Sequence, residues 1–272
     1  MIGSREKIRL GVFDVNGTIH TDATGIPGEI KAGFENLHEQ GIGTTIITGR
    51  GLSTARALLG HDWPIIVSEG LPASTENGSR LISADGKVVR HHPLSDDEVV
   101  ALADGIKDAS ESIRYLAYHP LDTEAGAVLW ATGLKPVDDF AKRHGSYERF
   151  HSSWENLISD LVKDQVSMVI IGGDKSAAEA LAGSNVIING TELNVLSAGV
   201  DKARGIEDIV EHLDLDLSEA IVAGNDHNDL SMLALDVGRS IFVEGALDKS
   251  PLAEGLEVVE DTQGLGQYLQ SF

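Results

Sequence analysis

The sequence predicts an α/β protein: a parallel-sheet domain divided along the chain, with an α+β domain inserted between its two parts. Three observations predict it. Short apolar strands alternate with helical patterns from Ile8 to Val67 and again from Lys202 onward. Between these stretches strands come in adjacent pairs, beginning with a hairpin signal at Asp85-Gly86. Polar clusters also fall where strands of the divided part end, the edge at which open α/β sheets hold ligands. At 272 residues and 42% hydrophobic content the chain can fill two modest cores, and with aromatics at 5% those cores must be mainly aliphatic.

Ile8, Leu10, Val12 and Phe13 form a short apolar run that ends in Asp14-Val15-Asn16-Gly17-Thr18. Pro27 to Gln40 carries Ile30, Phe34 and Leu37 at helical spacing, with Pro27 at its start and Gly41 just past its end. Thr44 to Thr48 reads as a second strand, ending in Thr48-Gly49-Arg50, and Leu52 to Leu59 as a helix. Ile65-Ile66-Val67 is expected to be a third strand. Such alternation implies a parallel sheet with crossover helices.

From Glu76-Asn77-Gly78 the pattern changes. Arg80 to Ile82 and Lys87 to Arg90 flank Asp85-Gly86 as a hairpin. A helix over 96–109, strands over 113–118 and 127–132, and a helix over 136–144 follow. Next come a strand over 166–171, a helix near 176–181, and strands over 186–188 and 193–196. Alternation then resumes with a helix over 202–213, a buried strand over 220–223 and a helix over 229–235. Short strands over 240–243 and 256–259 and a helix near 265–269 complete the chain. The expected division is therefore 1–79 with 197–272 for the divided domain, and 80–196 for the insertion.

Composition narrows the partners. A formal charge of −22 argues against nucleic acid and anionic membrane, since phosphate backbones select Lys and Arg clusters. With no cysteine, the chain has no disulfide, thiol nucleophile or thiolate metal site. Met1 to Lys7 lacks an apolar signal region, and no run approaches the roughly 20 apolar residues of a membrane span. A cytoplasmic protein is expected.

Four polar clusters lie at strand ends or helix starts of the divided domain: Asp14 to Thr18, Thr48-Gly49-Arg50, Lys202, and Gly224 to Asp229. Taken alone, Asp14 to Thr18 is equally an Asx-type turn, which also favours Asp, Asn and Gly. Together the clusters supply what metal-assisted phosphoryl transfer requires. Carboxylates hold Mg²⁺ through hard oxygen ligands. Ammonium and N–H groups neutralise the transferring phosphoryl group, and a carboxylate can act as nucleophile through an aspartyl-phosphate.

The order and spacing of these clusters resemble the haloacid dehalogenase superfamily, whose signature runs Asp-x-Asp-Gly-Thr, a strand-end Thr or Ser, a Lys, and Gly-Asp-x-x-Asn-Asp. The chain is most similar to the Cof-like phosphatases, which insert a large α/β cap between the second and third motifs. Thr48-Gly49-Arg50, Asn77-Gly78 leading into Asp85-Gly86-Lys87, Gly199-Val200-Asp201-Lys202, and Asn228-Asp229 with Met232-Leu233 carry this likeness. The resemblance implies a Rossmann-like parallel-sheet core, an inserted α+β cap that supplies substrate specificity, and an active site in the cleft between them. It implies Asp14 as nucleophile and metal ligand, with the Asn16 carbonyl also on the metal. Thr48 and the Gly49 N–H would hold phosphate, Lys202 would stabilise developing charge, and Asp229 would support metal and lysine. Arg50 and Asn77 are expected on the substrate side.

Two positions depart from that signature. Asn16 stands where the phosphatases carry the Asp that protonates the leaving oxygen and then activates water. General acid–base help is typically worth about 10² to 10⁴ in rate, so an uncompensated amide implies slow turnover of alkyl phosphates. Asn225 likewise replaces an Asp, and Asp226 is the candidate to supply the lost metal ligand. A third departure is Gly245-Ala246, where the subclass often has Asn-Ala. The substitutions are reconciled by a substrate with a good leaving group, by a histidine substitute (His20 or His227), or by loss of effective catalysis. The expected function is a Mg²⁺-dependent phosphatase for a small phosphorylated metabolite, a sugar phosphate or similar. The alternative is a regulatory relative that binds a phosphorylated ligand.

Overall fold

The computed structural model describes residues 7–121, 126–145, 147–181, 183–189, 192–245 and 256–272. Ala246, half of the departure at Gly245-Ala246, lies outside them. Five parallel strands form the core sheet in the order Glu257–Val259, Arg239–Val243, Ala220–Gly224, Leu10–Phe13, Gly43–Ile46. The first strand thus lies inside the sheet, with Leu10 in register with both Ala220 and Gly43. It is fully buried because both faces are covered. Phe13 packs with Phe34, Leu37, Leu265 and Leu269 on one side. Leu10 and Val12 pack with Ile206, Ile209 and Met232 on the other. A strand covered on both faces reads as a continuous apolar run rather than an alternating one.

The expected strand at 65–67 is corrected. Trp63–Ile66 is one turn of helix, with Pro64 in its first turn. Proline is pre-set for that position, and an apolar run this short does not separate strand from helix. The next strand is Ala73–Thr75, which heads a three-stranded antiparallel sheet with Arg80–Ile82 and Val88–His91. A division at residue 80 would separate Thr75 from Arg80, its register partner. Leu81 moreover packs with Leu10, Val12 and Ile47 of the core. At the turn Gly78 has φ +94°, and a Cβ there would stand 2.0 Å from the carbonyl oxygen of Asp201, so this hairpin is pressed against the helix that Lys202 begins.

The second large sheet has six strands, ordered Asn185–Asn189, Glu192–Leu196, Met168–Gly173, Ile113–Tyr118, Ala127–Ala131, Tyr147–Phe150. Its pairings are antiparallel except the last. Alternate residues divide between its faces. Val169 and Ile171 meet Leu102, Ile106, Leu157 and Leu161 of the covering helices. Met168 and Ile170 meet Phe140, from helix Leu134–His144, and Val200 on the opposite face. Helix Trp154–Lys163 and strand Tyr147–Phe150 are additions to the sequence reading. Helix 229–235 is shorter than expected, a 3₁₀ turn His227–Asp229 leading into Leu230–Leu233.

Candidate active site

Asp14 directly follows the first strand, and its N–H donates to the carbonyl of Ala223 at 2.9 Å. Adjacent parallel strands therefore end together, which brings Asp14 beside Gly224-Asn225. Gly17 makes the approach possible: its φ is +81°, and a Cβ would fall 2.2 Å from Nδ2 of Asn225. The Thr18 hydroxyl lies between the two side chains, 3.3 Å from Asp14 Oδ2 and 3.0 Å from Asn225 Oδ1. Its single proton can serve only one of them at a time.

Lys202 begins the helix Lys202–His212, which Asp201 caps by accepting from the Arg204 N–H. The lysine is wholly buried, and its Nζ donates to Asp14 Oδ1 at 2.6 Å and to Asp229 Oδ1 at 2.5 Å. The other oxygen of Asp229 accepts from the N–H groups of Asn225 (2.8 Å) and Asp226 (2.9 Å). One buried carboxylate thus fixes both the loop and the lysine. Burial, and then the neighbouring Asp229, push the Asp14 carboxyl above the usual carboxylate range, with Lys202 acting the other way. For Lys202 burial opposes the charge, but Asp14 and Asp229 overcome it and raise the group to about 12.

Thr48 is buried beside this floor. Its N–H donates to Ser74, its carbonyl accepts from the Asn77 N–H, and its hydroxyl accepts from the Arg50 N–H at 3.2 Å. Arg50 spans the cleft, donating from Nε to Asn16 Oδ1 (2.8 Å) and from Nη1 to the Arg143 carbonyl (2.7 Å). Burial lowers its pKa, against the charges of Asp14, Asp22 and Glu192 around it.

Asp14, Thr48 and Arg50 line a cavity of about 450 Å³. Asp14, Asn16, Thr48, Gly49, Arg50 and Asp226 are its expected members, joined by Asp22 and Asn228. The opposite wall is Arg143, His144, Glu192 and Asn194. Glu192 is 4% exposed and accepts from Arg143 (3.1 Å), His144 Nε2 (2.9 Å) and the Tyr115 hydroxyl. Burial alone would raise its pKa, but these donors lower it below the usual carboxylate range. Sequence reasoning missed this wall. One signal was available: in Glu-Leu-Asn-Val-Leu, Glu192 and Asn194 share a strand face while Leu193 and Val195 enter a core.

Three candidates fall elsewhere. Asn77 is fully buried in a left-handed conformation (φ 55°) rather than on the cavity wall, its Oδ1 accepting from Asn228 and its Nδ2 3.9 Å from Met168 Sδ. Left-handed backbone suits Asn, and here it turns the amide into the joint between the two sheets. His20 is buried with Nδ1 unpartnered, and burial lowers its pKa, but it does not line the cavity. His227 is exposed, its N–H donating to Asp226 Oδ1, and it lines a separate cavity with Asp201 and Ser231.

Among the described residues, no three His, Cys, Asp or Glu side chains group as a metal site. Oxygen donors of other kinds are nevertheless close. Asp14 and Asn225 present side-chain oxygens to one hydroxyl, and Asn16 and Asp226 line the same cavity as Asp14. All are hard ligands, and Mg²⁺ is commonly held by one or two carboxylates completed by water and substrate phosphate. The donor set fits that ion.

A family model for haloacid dehalogenase-like hydrolases matches residues 12–250. An HMP-PP phosphatase of Citrobacter koseri is 26% identical over 249 residues, covering 88% of this chain and 85% of the relative. A 5-amino-6-(5-phospho-D-ribitylamino)uracil phosphatase of Bacillus subtilis is 25% identical over 261 residues, covering 87% and 88%. The structure of a subclass IIB sugar phosphatase of the haloacid dehalogenase superfamily superposes with a TM-score of 0.79 at 18% identity, over 97% of this chain and 98% of that one. With the strand-end acid, buried lysine and second acid loop meeting under an inserted sheet, the chain belongs to the haloacid dehalogenase-like hydrolases.

Proposed function

We propose that this haloacid dehalogenase-like phosphatase uses Mg²⁺ to hydrolyse a small phosphorylated metabolite, a sugar phosphate or similar, through an aspartyl-phosphate on Asp14. The observation that carries the reading is the buried chain Asp14–Lys202–Asp229 at the floor of a polar cavity. Asp14 attacks phosphorus while Lys202 balances the charge that develops there. Thr48 and the Gly49 N–H hold the phosphoryl oxygens. Asp14, the Asn16 carbonyl and Asn225 or Asp226 would hold Mg²⁺, which would supply further neutralisation of phosphoryl charge when bound. Core residues 1–79 and 197–272 carry the chemistry in this scheme, and the insertion closes the cavity over the leaving group.

The Asn16 amide bears on rate. Arg50 is donor-only, so its bond to Asn16 directs the amide oxygen toward the guanidinium and leaves the NH₂ to face other partners. That NH₂ can donate a hydrogen bond but cannot transfer a proton. The amides at 16 and 225 also support a second reading, a relative that binds a phosphorylated ligand with little turnover. Hydrolysis of p-nitrophenyl phosphate and of a phosphomonoester panel, with Mg²⁺ and with EDTA, decides between them. Mg²⁺-dependent release of phosphate is expected; protein inert on every ester, yet binding one of them, supports the second reading instead.

A further inference from the structure

We propose that Asp22 is the acid–base residue of this site, doing the proton transfer that the Asn16 amide cannot. The inference rests on the phosphatase reading above and extends it by one catalytic residue. Among the described residues, four carboxylates line the cavity: Asp14, Asp22, Glu192 and Asp226. Three have other employment. Asp14 is the nucleophile, bound to Lys202. Glu192 is surrounded by Arg143, His144 and Tyr115, donors that hold it ionised. Asp226 accepts from the N–H of His227 and is a candidate metal ligand.

Asp22 is different. Among the described residues it accepts no hydrogen bond and forms no ion pair, yet its side chain borders the same cavity as Asp14 and Asn16. Its backbone is held by a tight turn in which Thr21 and Gly25 exchange both N–H···O bonds, at 2.9 and 2.8 Å. The Thr24 N–H also donates to the Thr21 hydroxyl at 3.2 Å. This turn continues directly from the one bearing Asn16, where the Gly17 N–H donates to the His20 carbonyl at 2.8 Å. A solvated carboxylate on a pinned turn can reach a leaving oxygen and exchange protons with water between steps. The guanidinium of Arg50, bonded to Asn16, feels both Asp14 and Asp22, which keeps all four side chains in one neighbourhood. The histidines adjacent to the motifs do not border this cavity.

The proton balance is simple. Asp14 forms a bond to phosphorus as the bond to the leaving oxygen breaks, and protonated Asp22 gives its proton to that oxygen. The resulting Asp22 carboxylate then takes a proton from the water that attacks phosphorus. The Asp14–phosphorus bond breaks, inorganic phosphate leaves, and Asp22 is again protonated.

The test compares native protein, Asp22→Asn, Asn16→Asp and the double variant on an alkyl phosphate and on p-nitrophenyl phosphate. Asp22→Asn should lower alkyl phosphate turnover by about 10²-fold or more, and should lower single-turnover cleavage of the aryl ester much less, because nitrophenolate leaves unprotonated. Asn16→Asp should restore alkyl turnover to Asp22→Asn, a rescue that a purely structural aspartate would not permit. Thermal unfolding midpoints of the variants identify any loss of folding, and the alkyl-to-aryl ratio reads the proton step in the folded fraction. Alkyl turnover within about twofold of native in Asp22→Asn overturns the proposal and leaves the phosphatase reading intact. So does a native enzyme that cleaves only the aryl ester and gains about 10²-fold on alkyl phosphate from Asn16→Asp alone. Native protein inert on both esters overturns both readings.

Discussion

At the floor of the cavity two carboxylates, Asp14 and Asp229, share one ammonium, whereas at the roof one carboxylate, Glu192, collects Arg143, His144 and Tyr115. The floor is therefore acid-rich, and with Asp226 at its rim it suits a cation and the phosphoryl group that the cation would accompany. The roof has its acid satisfied and presents donors. The two are also built differently. Floor groups project from the ends of parallel strands and the starts of helices, fixed by the core sheet. Roof groups come from the last turn of helix Leu134–His144 and from an antiparallel strand. Under the proposed function this difference corresponds to a division of labour: charge balance for chemistry below, hydrogen-bond matching for recognition above.

The largest expected effect breaks the floor. Asp14→Asn keeps the shape but removes the proposed nucleophile, and turnover should fall by at least about 10⁴-fold, the scale seen when a nucleophile is deleted. Phosphate release under saturating substrate measures it, and retained activity would exclude an aspartyl-phosphate. Next comes Lys202→Met, which leaves two buried carboxylates facing one another. Removing one partner from a buried ionic group typically costs about 3 to 5 kcal/mol, so urea unfolding should show a loss of that size alongside the loss of activity.

Changes at the roof should act on binding. Glu192→Gln removes the charge that Arg143 and His144 meet, and should raise KM for the best substrate of the phosphate panel about tenfold, as expected for one disturbed buried hydrogen-bond group. A change mainly in kcat would place Glu192 in the chemistry and dissolve the proposed division. A further effect lies at the joint between the regions. His119 packs over Gly51, where a Cβ would come within 3.1 Å of its ring. Burial, then His144 and Arg80, push its pKa down to about 3 from the ordinary 6.5. Between those values the unfolded chain carries a proton that the native histidine lacks, so stability rises with pH. His119 should therefore contribute a loss of about 1.4 kcal/mol per unit as pH falls below about 6.5. His119→Gln should flatten the urea-unfolding profile between pH 6.5 and 4.5 by that slope.

Much of the floor was legible because its residues sit at places with sequence punctuation. Asp14 ends an apolar run, Lys202 opens a helix after Gly199, and Asp229 follows a glycine that ends a buried strand. Arg50 was legible as a residue of the site but not as the link from Asn16 to the inserted domain. The strand expected at 65–67 failed because three apolar residues fit one helical turn equally well, and Pro64 favours the helix. Asn77 lies off the cavity wall for a different reason: its left-handed backbone turns the side chain toward Asn228 and Met168.

By itself the sequence determined the alternation of the core, the presence of an insertion and the identity of the floor residues. All of these follow from short-range periodicity and from residues at element ends. Only the tertiary structure decided which groups form the roof and that Asp22 borders the same cavity. Arg143, Glu192 and Tyr115 are far apart in the chain and share no spacing rule. They meet because strand Glu192–Leu196, strand Ile113–Tyr118 and helix Leu134–His144 converge in one folded layer. The closure of that layer over Arg50 is likewise a product of packing between sheets, which no local pattern encodes.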